Sequence, residues 1–339
     1  MIPSNEVYVL SSQAQHPGKG GKNYEDRQAL STYQLSERDL TPSLFAVAAD
    51  GRSSLRAGEV AAQSVVDVVS LAVAQSDASQ PSAILHSAII QAGQSILTQS
   101  ENESDKRGMG STCLCAWIVG NRLYTASLGN SRLFHLRQGL LQQMNVIHTL
   151  AEGAEKGNKE EDKDPGKVED AEETKELEET RGYLGSRMRA QADFRLVLRP
   201  GGEANAERNQ GVRLQANDRL LLCTNGLSKA LTEEEITEVL GSAEIDKAAE
   251  ALVQAALQKN AQDNLSAIVL GMPPAHPTPI ARRLRVRPVL LIIVASLLLA
   301  LASIGGWFIL GQRSDPESTA LPSPVSTLTP LPSNTPEQP

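Results

Sequence analysis

Residues 288–310, PVLLIIVASLLLALASIGGWFIL, run for 23 positions without a charge. At about 1.5 Å per residue a helix of that length covers roughly 30 Å, the hydrocarbon thickness of a bilayer. No polar stripe interrupts it, as one would in a core helix. The run predicts one C-terminal transmembrane helix and divides the chain into a large N-terminal part, a span and a tail. Arg282, Arg283, Arg285 and Arg287 precede the span, whereas Arg313 follows it together with Asp315 and Glu317. The positive-inside rule then puts residues 1–287 in the cytoplasm and 311–339 outside, on a single-pass cell-membrane protein. Trp307 and Phe308 fall near the outer boundary, and the opening MIPSNEVYVLSS has neither the basic region nor the apolar core of a signal peptide.

The other segments are set by composition. The tail, ending ALPSPVSTLTPLPSNTPEQP, is too rich in Pro, Ser and Thr to pack a core and is expected to be disordered. Residues 272–287 form a Pro/Arg-rich juxtamembrane linker. Residues 151–180 hold 13 Asp/Glu against 5 Lys, which is the whole net charge of −8, and read as a solvated, disordered insertion. The remainder is charge-balanced, which argues against a nucleic-acid partner. Cys113, Cys115 and Cys223 are odd in number and lack framework spacing, which argues against a disulfide scaffold. Cys113 and Cys115 alternate in STCLCAWIV, share a strand face and read as small core residues. The five histidines show no ligand spacing.

Between residues 6 and 271 strand patterns fall at 6–10, 28–35, 44–49, 112–119, 122–127, 132–137, 193–198, 219–224 and 264–270, with Gly120-Asn121 as a hairpin turn. Helical patterns cover 58–75 and 82–99 in succession, then 232–240, capped by Thr232, and 245–257. Hairpins and paired helices, rather than strict alternation, favour antiparallel sheets covered by helices.

Acidic residues end several of the apolar segments: Asp26 in NYEDRQAL, Asp50 in FAVAADG and Asp263 in AQDNLSAIVL. Carboxylates converging from strand ends suit hard cations, although Asp-Gly and Asp-Asn are also ordinary turns. The strand LLCTNGL ends instead on Asn225-Gly226, which by itself reads as a tight turn.

These pieces, in this order, resemble the metal-dependent type 2C Ser/Thr protein phosphatases, the PPM family. NYEDRQAL is similar to the first acidic motif of that family, and FAVAADGRSSLRAGEVAAQ to its Asp-Gly-Met-Gly-Gly block. GMGSTCLCAWIVGNRLYTASLGNSRLFHLRQGLL resembles the central region, ANDRLLLCTNGL the Gly-Asp-Arg…Ser-Asp-Gly-Leu segment, and DNLSAIVL the closing motif. The resemblance implies an α+β fold over residues 1–271: a four-layer α-β-β-α sandwich of two antiparallel sheets flanked by helix pairs. It also implies two Mn2+ or Mg2+ ions that activate a water for in-line attack on phosphoserine or phosphothreonine. Carried over, Asp50 bridges both metals, the Gly51 carbonyl ligates one and Asp263 the other, while Glu25 and Asp26 support them through waters.

The match has gaps around this site. Asn225 stands where the family has a metal-binding Asp, and Asn130, in GNSR, where it has an Asp near an accessory metal. The phosphate-binding Arg corresponds to Gly21, with Lys19 and Lys22 close by, and Lys22 is the expected substitute. Met-Gly-Gly has become Arg52-Ser53-Ser54, and the acidic insertion replaces much of the flap. Fewer charged ligands weaken divalent binding, so the second ion is in doubt. Three readings follow: a metal-hungry membrane-anchored phosphatase; a pseudophosphatase that binds phosphoproteins or a Ser/Thr kinase; or a membrane-tethered conformational sensor.

Overall fold

The computed structural model describes residues 1–4, 8–21, 23–52, 57–148, 183–185 and 192–274. The acidic segment 151–180, residues 275–287 of the linker, the apolar run 288–310, the tail 311–339 and Lys22 lie outside the described residues. No helix among the described residues is long and apolar enough to cross a membrane.

The chain enters through β1 (Ile2–Pro3), β2 (Leu10–His16), β3 (Arg27–Gln34) and β4 (Pro42–Ala49). Helices α1 (Gly58–Gln75) and α2 (Pro81–Asn102) follow, then β5 (Cys113–Val119), β6 (Arg122–Leu128), β7 (Arg132–Arg137) and β8 (Leu140–Gln143). After these come β9 (Val212–Arg213), β10 (Arg219–Cys223), α3 (Asn225–Ala230), α4 (Glu233–Ser242), α5 (Ile245–Gln258) and β11 (Leu265–Gly271). One sheet has the order β1-β3-β4-β5-β6-β9 and the other β2-β11-β10-β7-β8, with antiparallel pairing throughout.

Strand alternation builds the layers. In β4 and β5, Phe45, Val47, Cys113, Cys115 and Trp117 join the core made with α1 and α2. Their neighbours Leu44, Ala46, Leu114, Ala116 and Ile118 face inward instead and meet Leu220, Leu222, Ile268 and Leu270 of the other sheet. On the far side Leu221, Cys223, Ala267 and Val269 pack beneath α3, α4 and α5. Both central strand pairs are therefore apolar on two faces, and the four-layer sandwich follows. Cys113 and Cys115 do share one buried face, their sulfurs 3.5 Å apart as free thiols.

Most elements lie where their patterns put them. The β5–β6 hairpin closes on Gly120-Asn121, with Val119 opposite Arg122 and Gly120 at φ 60°. Thr232 caps α4, accepting from the Glu235 amide while Glu235 reaches back to the Thr232 amide.

Three expectations are corrected, and two short strands are added. The first long strand is Leu10–His16 rather than 6–10; it is a polar edge strand that buries Ala14 and, among the described residues, pairs only with β11. Residues 193–198 make isolated bridges from Asp193 to Ser127 and from Leu196 to Asn145 and Asn205, not a strand. The short β8 and β9 carry too little apolar alternation to be seen in advance. Asn225-Gly226 is not a turn but the first two residues of α3.

Candidate functional site

Strand register alone gathers the acidic positions. Arg27 of β3 faces Ala49 of β4, so Asp26, just before one, and Asp50, just after the other, leave the first sheet together. Cys223 of β10 faces Ala267 of β11, which brings Thr224 and Asn225 beside Asp263 and Asn264 at the same end of the second sheet. Cys223 also faces Arg132, so the Asn130-Ser131 loop arrives at this edge too.

Contacts across the sandwich tie these ends together. Thr224 Oγ1 and Ser266 Oγ each donate to Asp26 Oδ2 at 2.8 Å, joining a residue of the first sheet to two strands of the second. The Glu25 amide donates to Asn264 Oδ1 at 2.7 Å, and Asn264 Nδ2 donates to the Pro17 carbonyl at 3.0 Å. The Asp50 amide donates to Thr112 Oγ1 at 2.9 Å, and Thr112 Oγ1 lies 3.2 Å from Ser131 Oγ. Two glycines permit the approach. A Cβ at Gly51 would collide with the Gly58 carbonyl, and one at Gly226 with the carbonyl of Asn264.

The cluster is electrostatically costly as it stands. Burial pushes the Asp26 carboxyl up to about 6; the Ser266 and Thr224 hydroxyls pull against the rise, and the Asp263 charge adds to it. Burial also drives Asp50 well above the usual carboxylate range, reinforced by Asp26, Asp263 and Glu25 and opposed by Lys229. Asp26 Oδ1 is buried and finds no hydrogen-bond partner among the described residues, and the same holds for Asn130 Oδ1. No three His, Cys, Asp or Glu side chains among the described residues are grouped to hold an ion. At the Asn225 position of the pattern a carboxamide stands in place of a carboxylate.

The sequence profile described as Protein phosphatase 2C matches residues 21–269, from the loop before Glu25 into β11. The chain belongs to the protein phosphatase 2C family. This phosphatase 2C chain is 31% identical over 229 residues to the serine/threonine protein phosphatase PstP of Mycobacterium tuberculosis H37Rv. That alignment covers 65% of this chain and 39% of PstP, so the chain matches about two fifths of the relative's length. The serine/threonine phosphatase stp of Listeria monocytogenes EGD-e is 26% identical over 231 residues, 66% of this chain and 82% of that protein. Among solved structures, the S. agalactiae serine/threonine phosphatase superposes with a TM-score of 0.60 at 20% identity, over 78% of this chain and 99% of its own. The PstP catalytic domain in complex with two manganese ions gives a TM-score of 0.57 at 25% identity, over 78% of this chain and 98% of its own.

Glu25, Asp26, Asp50, Gly51, Asn225 and Asp263 of the phosphatase 2C pattern thus lie at one edge of the sandwich. Gly21 sits at φ 65° with open space where a Cβ would point, so a larger residue there is opposed by the backbone and not by neighbours. Arg52 is buried, its guanidinium 4.6 Å from the Tyr183 ring and its amide donating to the Gly110 carbonyl at 3.1 Å. Thr224, Ser266, Asn264 and Lys229 were not singled out by sequence. Lys229 alone had a readable signal, four residues after Asn225 in NGLSK.

Proposed function

We propose that the chain is a membrane-anchored phosphatase that hydrolyses phosphoserine and phosphothreonine in proteins, using Mn2+ or Mg2+. The observation that carries this reading is the buried Asp26 Oδ1, without a hydrogen-bond partner among the described residues, beside carboxylates that push one another's pKa up. Such a set fits a hard cation, which takes oxygen donors and lowers the cost of gathered negative charge. Asp50, the Gly51 carbonyl, Asp263 and the Asn225 amide oxygen would hold the ion, with Glu25 and Asp26 acting through waters. A bound divalent ion supplies an acidified water and a polarised phosphoryl oxygen. Asp26 is kept in one orientation by Thr224 and Ser266, which leaves Oδ1 to accept from a water. Lys22 is assigned to the phosphate charge. A single ion is better supported than two, because Asn225 brings a dipole where a third carboxylate would bring a charge.

That same substitution favours a second reading, a pseudophosphatase that engages phosphoproteins or a Ser/Thr kinase without turnover. Metal titration of the purified protein alongside phosphopeptide hydrolysis separates the two. Asn225→Asp should bind Mn2+ about tenfold more tightly, since a full charge then acts on the ion at close range. Turnover should rise with it if the ion limits the rate. Identical calorimetric affinities for wild type and Asn225→Asp would remove this residue from the metal.

The uncharged run 288–310 and its arginine-rich leading flank support the anchor, with residues 1–287 cytoplasmic and 311–339 outside. Protease added to intact cells should trim the tail and spare the domain. Digestion of the domain would reverse the orientation.

A further inference from the structure

Helix α3 starts at Asn225, and Lys229 stands one turn further along, so the two side chains leave the same helix face. Lys229 is exposed, and its charge reaches Asp50. Three other basic groups near the cluster have local engagements. Lys19 Nζ donates to Asn260 Oδ1 at 2.9 Å. Arg27 donates to the Tyr24 and Asp26 carbonyls at 3.0 and 2.8 Å, and Arg52 lies over Tyr183. Lys229 forms no hydrogen bond or ion pair with another described residue. Gly21 itself offers no side chain to a phosphate. A phosphate dianion approaching a rim of carboxylates needs positive charge to hold it there.

We propose that Lys229 binds the phosphoryl group of the substrate, supplying from α3 a cation that Gly21 itself cannot. The proposal rests on the phosphatase reading of this site. An ammonium is a compact point charge with three donors, so it neutralises a phosphoryl oxygen without the bidentate fork of a guanidinium. Because Asn225 and Lys229 share a face, the helix that loses a negative charge at its start gains a positive one a turn later. That favours an anionic ligand at the rim.

The test uses the full-length chain in detergent, loaded with Mn2+, as wild type, Lys229→Met and Lys229→Arg. Calorimetry with inorganic phosphate reads binding without turnover, and a phosphothreonine peptide reads KM and kcat. Lys229→Met should weaken phosphate binding and raise KM about tenfold, the worth of one charge-assisted contact, with kcat little changed. Lys229→Arg should recover part of the loss. Mn2+ affinity should be kept or improved, since a neighbouring positive charge has gone. Unchanged phosphate binding in Lys229→Met overturns the proposal. So does a loss of Mn2+ binding large enough to account for the effect, which would mean Lys229 acts through Asp50. Lys229-dependent phosphate binding without wild-type turnover upholds the proposal and removes the phosphatase reading. Turnover with a Lys229-independent KM does the reverse, and a wild type that neither binds phosphate nor turns over loses both.

Discussion

Asp50→Ala should abolish metal-dependent phosphopeptide hydrolysis while leaving the metal-free domain as stable as before or more so. The proposed ion leans on Asp50 more than on any other residue. Removing even an outer-shell partner of a metal commonly costs ten- to a hundredfold in affinity, so loss of this carboxylate should cost more than about a hundredfold. The stability half of the prediction comes from the crowding of charge. Burial and the charges of Asp26, Asp263 and Glu25 hold the Asp50 carboxyl well above its usual range. A group whose folded pKa is raised contributes its full stability below the unfolded value, about 3.9, and loses it as pH climbs through the folded value. Asp26, raised to about 6, behaves in the same way. Metal-free protein should therefore weaken between about pH 4 and beyond pH 6, and Asp50→Ala should flatten that slope. Calorimetric Mn2+ titration with melting curves across this range checks both halves. Retained turnover in Asp50→Ala would remove this residue from the chemistry.

Trp117→Ala should carry the largest cost to folding. The side chain is wholly buried between the first sheet and its helix pair, edge-on to Phe45 with ring centres 6.3 Å apart and planes at 83°. Its indole N–H donates to Ser43 Oγ at 2.8 Å. Truncation opens a cavity worth about 3–5 kcal/mol and strands a buried hydroxyl. Set against the roughly 5–15 kcal/mol that holds a domain together, this should lower the melting temperature by about 10 °C. Trp117→Phe keeps a ring, gives up the hydrogen bond and should lose much less. A loss below about 1 kcal/mol in Trp117→Ala would show that this core repacks freely.

The central strands were legible because both of their faces are apolar, so β4, β5, β10 and β11 stand out as short continuous runs. Helix α1 could be placed to the residue, since its Ala and Val positions recur at helical spacing. The edge strand β2 was not legible, because LSSQAQH buries one residue and takes its place from backbone pairing with β11. Taken alone, Asn225-Gly226 reads as a turn because both residues tolerate turns, whereas here they open α3, with Gly226 lying against the Asn264 carbonyl. At the site, the acidic residues were visible as strand ends. Their clamps were not, because Thr224 and Ser266 lie 198 and 240 residues from Asp26 along the chain. Lys229 carries no local signal beyond its spacing from Asn225, which matters only once α3 is seen to start there.

Asp26 is also a fastening. Its one engaged oxygen is gripped from both central strands of the second sheet, while its backbone runs directly into the first. Whatever settles the charge around Asp26 therefore settles how firmly the two sheets close at that edge. An ion that binds only the closed arrangement lends its binding energy to the joint. With the proposed ion bound there, ion content and cohesion of the sandwich would be a single equilibrium, and the conditions that strip one would loosen the other.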